Sequence, residues 1–169
     1  MSATAILTPQ ENVSRSRKVQ ARGRERRIAL RLDVAADRRR IFDALTVPEY
    51  IETWLSFPCT HVDCRTIASQ ANDYYRLDHY AADRLDFSIT GAYHVCRRGK
   101  LFFTWRKAQA SGDQEAAHEG MVLIRLHGAF AKSTLCLAHT GFFSEREYRW
   151  HRELWNRSLT KLQALFCTR

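Results

Sequence analysis

No run of 18 apolar residues occurs in this sequence, so no segment of it can cross a membrane as a helix. With only 3 prolines and 7 glycines among 169 residues, it is neither collagen-like nor a low-complexity chain. Its 5 cysteines are odd in number and contain no Cys-x-x-Cys, which argues against a disulfide scaffold and a thioredoxin-type redox pair. Gly-x-Gly-x-x-Gly, Gly-x-x-x-x-Gly-Lys-Ser/Thr, Gly-x-Ser-x-Gly and His-Glu-x-x-His are all missing. Dinucleotide binding, phosphate-loop hydrolysis and zincin chemistry therefore have no support, and no cofactor is expected. Residues 1–10 carry no positive charge ahead of their short apolar run, so they lack a signal-peptide core, and a cytoplasmic location is the expectation.

Charge is present but unevenly spread. Residues 1–40 hold 11 basic and 4 acidic side chains, whereas the remaining 129 hold 16 and 14. The excess thus belongs to the leading end, where Arg15, Arg17, Lys18, Arg22 and Arg24 lie in a polar stretch. Residues 1–25 read as a flexible basic tail and 26–169 as one domain. Such a tail is a solubilising arm, or a weak phosphate binder without aromatic stacking platforms; nucleic acid is not the expected partner. The densest cluster of ligand-type side chains is Cys59, His61, Asp63 and Cys64. A structural zinc site usually takes four ligands in two spaced pairs, and no second pair follows, so reduced cysteines and no metal are expected.

Hydrophobic periodicity divides the domain. Ile28, Leu30, Leu32 and Val34 alternate as a half-buried strand. Ile41, Phe42 and Leu45 share a helical face behind Asp37, a suitable N-cap, and a second short helix carries Ile51, Trp54 and Leu55 between Pro48 and Pro58. From 59 to about 139 short strands alternate with turns, without any interval long enough for a crossover helix. Tyr75, Leu77 and His79 share one strand face; Gly91, in mid-strand, predicts a bend, a bulge or a close backbone approach. A turn is expected over 128–132. Ser144 and Glu147 make a capping-box pattern, followed by an apolar stripe from Tyr148 through His151, Leu154, Trp155, Ser158, Leu159 and Leu162 to Leu165 and Phe166.

These pieces predict an α+β fold: a curved antiparallel sheet wrapped around one long C-terminal helix, with two short helices after the first strand. A curved sheet can gape from the helix it covers. The large inward candidates are Trp54, Tyr75, Phe87, Tyr93, Phe103, Trp105, Leu126 and Trp155, with His79 as their polar neighbour. Aromatic walls with few polar tips suit a small hydrophobic or aromatic ligand, but the same side chains can equally meet and fill the space. His79 is an acid–base group in the first case and a hydrogen-bonded core residue in the second.

The segments Ile41-Phe42-Asp43-Ala44-Leu45-Thr46 leading to Trp54, Ile89-Thr90-Gly91-Ala92-Tyr93, Leu101-Phe102-Phe103-Thr104-Trp105 and Ser133-Thr134-Leu135, ending in the long helix, resemble the START-like, helix-grip superfamily. Within it the chain is most similar to proteins like the C-terminal domain of the activator of the Hsp90 ATPase. Family members often carry a glycine pair after an Asp-x-Arg, where this chain has Thr66-Ile67, and a Gly-Trp step where it has Arg149-Trp150. The resemblance implies the helix-grip fold and a cavity, without a fixed catalytic set. The expected function is non-catalytic binding or carriage of a small apolar or aromatic molecule. Alternatives are a cyclase- or hydratase-type enzyme in the same cavity, a chaperone-regulating module, or weak nucleic-acid binding by the tail. A chaperone partner is not the leading expectation, no membrane partner is expected, and an uncovered strand edge can pair two copies as a homodimer.

Overall fold

A computed structural model describes residues 25–59, 64–110 and 118–167. Strand β1 (Arg26–Val34) leads into α1 (Arg38–Thr46) and α2 (Pro48–Trp54). Strands β2 (Cys64–Ala71), β3 (Tyr74–Ala81), β4 (Arg84–Arg97), β5 (Lys100–Gln109), β6 (His118–Ala129) and β7 (Lys132–Phe142) follow, and α3 (Glu145–Ala164) ends the series. Among the described residues the strands form one curved seven-stranded sheet, ordered β1-β7-β6-β5-β4-β3-β2, with every neighbouring pair antiparallel. The expected α+β helix-grip architecture is the one observed.

Local chemistry explains the helical corner. The Asp37 carboxylate accepts from the Arg40 backbone N–H at 2.9 Å, satisfying one of the unpaired donors that open α1. At the other end, the Ala44 carbonyl would normally accept from residue 48. Pro48 has no N–H to give, and the Trp54 indole donates to Ala44 instead at 2.8 Å. One proline thus ends α1, starts α2 and fixes where Trp54 must lie. Beyond α2, the Ser56 N–H donates to Ser158 Oγ at 3.0 Å, tying this corner to α3.

Alternation does the rest. Leu101, Phe103 and Trp105 of β5, Val122, Ile124 and Leu126 of β6, and Leu135 and Leu137 of β7 are buried beneath Leu154, Trp155, Leu159 and Leu162 of α3. At about 1.5–3 kcal/mol per fully buried large side chain, this contact dominates the stability of the domain. Gly91 of β4 lies opposite Tyr75 of β3. A Cβ there would clash with the Thr104 carbonyl oxygen and lie 2.6 Å from the Tyr75 ring. Of the three expected explanations for this glycine, close approach is the one that applies.

Several expectations are corrected. Ser144 stands at the N-cap of α3 but its side chain makes no capping hydrogen bond. Glu147, the other half of the expected box, has its carboxylate 3.5 Å from His151 Nδ1. Leu165 is 48% exposed because α3 stops at Ala164, before the stripe does. The turn expected over 128–132 narrows to Phe130 and Ala131. Cys59 is disulfide-bonded, not reduced, while Cys96, Cys136 and Cys167 are free thiols. The basic tail, except Glu25, and the pair His61 and Asp63 lie outside the described residues. No described helix is long and apolar enough to cross a membrane.

Candidate functional site

The inward faces of β3, β4 and β5 meet α2 and α3 around a cavity of ≈ 40 Å³. Trp54, Tyr75, Tyr93, Phe103, Trp105 and Trp155 form its aromatic wall, completed by Leu45, Ile51, Leu55, Leu77, Leu101 and Ile124. A volume of this size holds a few water molecules at most, and a cavity that takes benzene needs about 150 Å³. The side chains have therefore largely closed on one another: Trp105 and Trp155 lie 5.2 Å apart between ring centroids, and Tyr93 and Phe103 5.5 Å.

The walls differ in how firmly they are held. The Tyr75 hydroxyl donates to the Thr104 carbonyl at 2.6 Å, and burial raises its pKa well above the ordinary phenol value. Trp54 is fixed by Ala44, Trp105 donates to His151 Nε2 at 3.2 Å, and Trp155 donates to His139 Nδ1 at 3.0 Å. An indole only donates, so both imidazole nitrogens must present lone pairs. With Nε2 accepting, His151 carries its proton on Nδ1, which lies 2.8 Å from the Glu147 carbonyl and donates to it. Tyr93 is the exception. It is only half-buried, its hydroxyl has no hydrogen bond among the described residues, and burial still pushes its pKa up to about 12.

Further along the same inner face, two polar side chains lie packed among aromatic rings. His79, 2% exposed, lies between Phe57 and Phe87, with ring centroids 5.1 and 4.7 Å away. Among the described residues neither of its ring nitrogens has a hydrogen-bond partner, and burial holds its pKa below the usual imidazole value against a weaker opposite pull from Asp86. Lys107 is 7% exposed, and its Nζ rests 3.9 Å from the centroid of the Trp150 ring and 5.2 Å from that of Phe87. Burial lowers its pKa; Glu147 and Asp86 oppose that effect, and Arg146 adds to it.

Of the nine residues expected at a ligand site, Trp54, Tyr75, Tyr93, Phe103, Trp105 and Trp155 line the cavity. His79 and Phe87 pack on one another beyond the cavity, and Leu126 is buried in the core without lining it. Lys107, Trp150 and Phe57 were not anticipated from sequence. Lys107 was detectable, since it continues the phase of Leu101, Phe103 and Trp105, and only its charge conceals that it points inward. Larger hollows lie on the outside. One of ≈ 460 Å³ runs past Gly91, Tyr74 and Arg106, and one of ≈ 430 Å³ separates Tyr50 of α2 from Leu165 and Phe166. Among the described residues no group of three or more His, Cys, Asp or Glu could hold a metal ion.

Comparison with known proteins follows the same outline. The family model described as Activator of Hsp90 ATPase homolog 1-like protein matches residues 35–167. No curated protein matches the sequence. Among solved structures, a protein from Chromobacterium violaceum superposes with a TM-score of 0.66 at 17% identity, covering 85% of this chain and 99% of the other. The AHSA1 protein from Silicibacter pomeroyi gives 0.66 at 18% identity, covering 83% and 96%. An Aha1 dimer from Colwellia psychrerythraea gives 0.59 at 13% identity, again covering 83% and 96%. At such identities these likenesses establish the fold alone.

Proposed function

The chain belongs to the Activator of Hsp90 ATPase homolog 1-like family, and from that premise we propose that it is a non-catalytic binding module for a small apolar or aromatic molecule held between the sheet and α3. The observation that supports this reading is the convergence of six aromatic side chains on one inward space, five of them buried and Tyr93 only half-buried. Tyr75, Trp54, Trp105 and Trp155 are pinned by hydrogen bonds. Tyr93 is not, so it is the wall that yields. Turning its phenol outward adds one ring's volume to the ≈ 40 Å³ already present, which suits a single aromatic ring or a short alkyl group.

Native mass spectrometry of freshly purified protein, against a panel of single-ring aromatics and medium-chain alkyl compounds, tests the proposal. We expect stoichiometric adducts with the wild type and at least about tenfold tighter binding by Tyr93→Ala, which opens the space in advance. Failure of both proteins to take up any compound contradicts it.

The family match also favours a second reading, regulation of an Hsp90-type chaperone ATPase. Such regulation acts through the outside of the domain, where Tyr50 and Leu165 expose 52% and 48% of their surface beside the hollow of ≈ 430 Å³. The chaperone's ATPase rate with and without this chain decides it, and an unchanged rate ends this reading.

A further inference from the structure

Two polar side chains on the inner face of the sheet pack against aromatic rings without a hydrogen bond among the described residues. His79, 2% exposed, has no hydrogen-bond partner at either nitrogen among the described residues. The Lys107 ammonium, on a residue 7% exposed, makes no hydrogen bond or ion pair among the described residues and rests on the faces of Trp150 and Phe87. Cation–π contact with the two rings favours the ammonium where it stands. Withdrawing an ammonium from water costs more than such contacts return, so the rings offset only part of it. An imidazole buried with nothing to donate to or accept from adds to the deficit. Apolar residues at both positions would make a better core, and that points to a ligand.

Their placement says where the ligand lies. His79 is the next inward residue after Leu77 on β3, and Lys107 the next after Trp105 on β5; Leu77 and Trp105 both line the aromatic cavity. One such step along a strand is about 6.6 Å, so the two polar side chains stand next to the lining of the cavity. Phe87 touches both groups, and the half-buried Trp150 covers Lys107 from α3. Of the acidic neighbours, Asp86 is exposed and weakened by water; the Glu147 carboxylate lies 3.5 Å from His151 Nδ1, its buried Oε2 has no hydrogen-bond partner among the described residues, and its charge does more than that of Asp86 to favour the Lys107 ammonium without pairing with it.

We infer that Lys107 and His79 form the polar end of the proposed ligand site and select a small organic acid. The carboxylate lies against the Lys107 ammonium and accepts the His79 N–H, while the apolar body extends past Leu77 and Trp105 into the cavity. An ammonium has three donors and no acceptor, so an anionic oxygen meets its need where an alcohol or amine does not. This inference rests on the binding reading given above and adds the chemical class of the ligand.

Isothermal titration of the full chain with 3-phenylpropionate and with 3-phenylpropan-1-ol, which share one apolar body, tests it. The acid should bind the wild type at least about tenfold more tightly than the alcohol. Lys107→Met, which keeps an apolar stem of similar length, should abolish that preference and leave the alcohol's affinity within about twofold; Lys107→Arg should restore part of it. The indole N–H signal of Trp150 should move with the acid and not with the alcohol, a readout that holds even if a variant folds poorly. Equal affinity of the wild type for acid and alcohol overturns the carboxylate anchor and leaves the cavity reading intact. A preference that survives in a folded Lys107→Met also overturns the anchor. Binding of neither compound overturns both readings together.

Discussion

Gly91 has no side chain because Tyr75 and the backbone of β5 occupy the place where one would stand. An added methyl meets the Thr104 carbonyl and the Tyr75 ring, neither of which can retreat without breaking the hydrogen bond between them. Gly91→Ala should therefore lose about 1–3 kcal/mol in urea unfolding, the usual range for overpacking; an unchanged midpoint would contradict this account of the strand. His79 gives a pH-dependent counterpart. Burial depresses its folded-state pKa, so the unfolded chain binds the proton more readily. Stability is then complete above the unfolded value of about 6.5 and declines as pH falls from there toward the lower folded pKa. His79→Phe removes this dependence and the two orphaned nitrogens at once. Its urea midpoint should equal or exceed the wild type's at pH 7.5 and fall less between pH 7.5 and 5.5. Gly91 announced itself in the sequence as a glycine inside an alternating strand. The side-chain position of His79 was equally legible, but its lack of a partner was not, because that depends on Phe57 and Phe87 arriving from other segments.

The helices follow from the sequence to different depths. Periodicity located α1, α2 and α3, and Asp37 caps as its type and position predict. Ser144 stands at the N-cap of α3 without a capping hydrogen bond, because a capping pattern states an opportunity and not a contact. What joins the elements is a set of indole hydrogen bonds that no local pattern encodes. Trp54 closes the gap that Pro48 leaves at Ala44, and Trp105 and Trp155 hold β5, β7 and α3 together through His151 and His139. Replacing Trp54 by Phe strands the Ala44 carbonyl, and replacing Trp155 by Phe strips His139 Nδ1 of its indole donor. Each substitution should cost about 1–3 kcal/mol in denaturant unfolding, the penalty for a buried polar group left unsatisfied. Loss of less than about 0.5 kcal/mol from both would show that packing and not hydrogen bonding positions the indoles.

Across the whole molecule, β1 closes on β7 and α3 lies over the sheet between them. Alternation identified the strands, but pairing Arg31 with Cys136 joins residues from opposite ends of the chain, and only the family resemblance carried that information. The resemblance likewise implied a cavity, and here the structure is sparing, with ≈ 40 Å³ left among the aromatic rings. On the proposed binding reading, ligand entry turns on the movement of Tyr93, and the tryptophans report on it directly. Trp54, Trp105 and Trp155 line the cavity, whereas Trp150 caps Lys107. In protein labelled with nitrogen-15 tryptophan, titration with 3-phenylpropan-1-ol should shift the indole signals of Trp54, Trp105 and Trp155 in a saturable manner and leave Trp150 in place. Four stationary indole signals through a titration to millimolar ligand would contradict entry into the cavity and return the search to the outer surface.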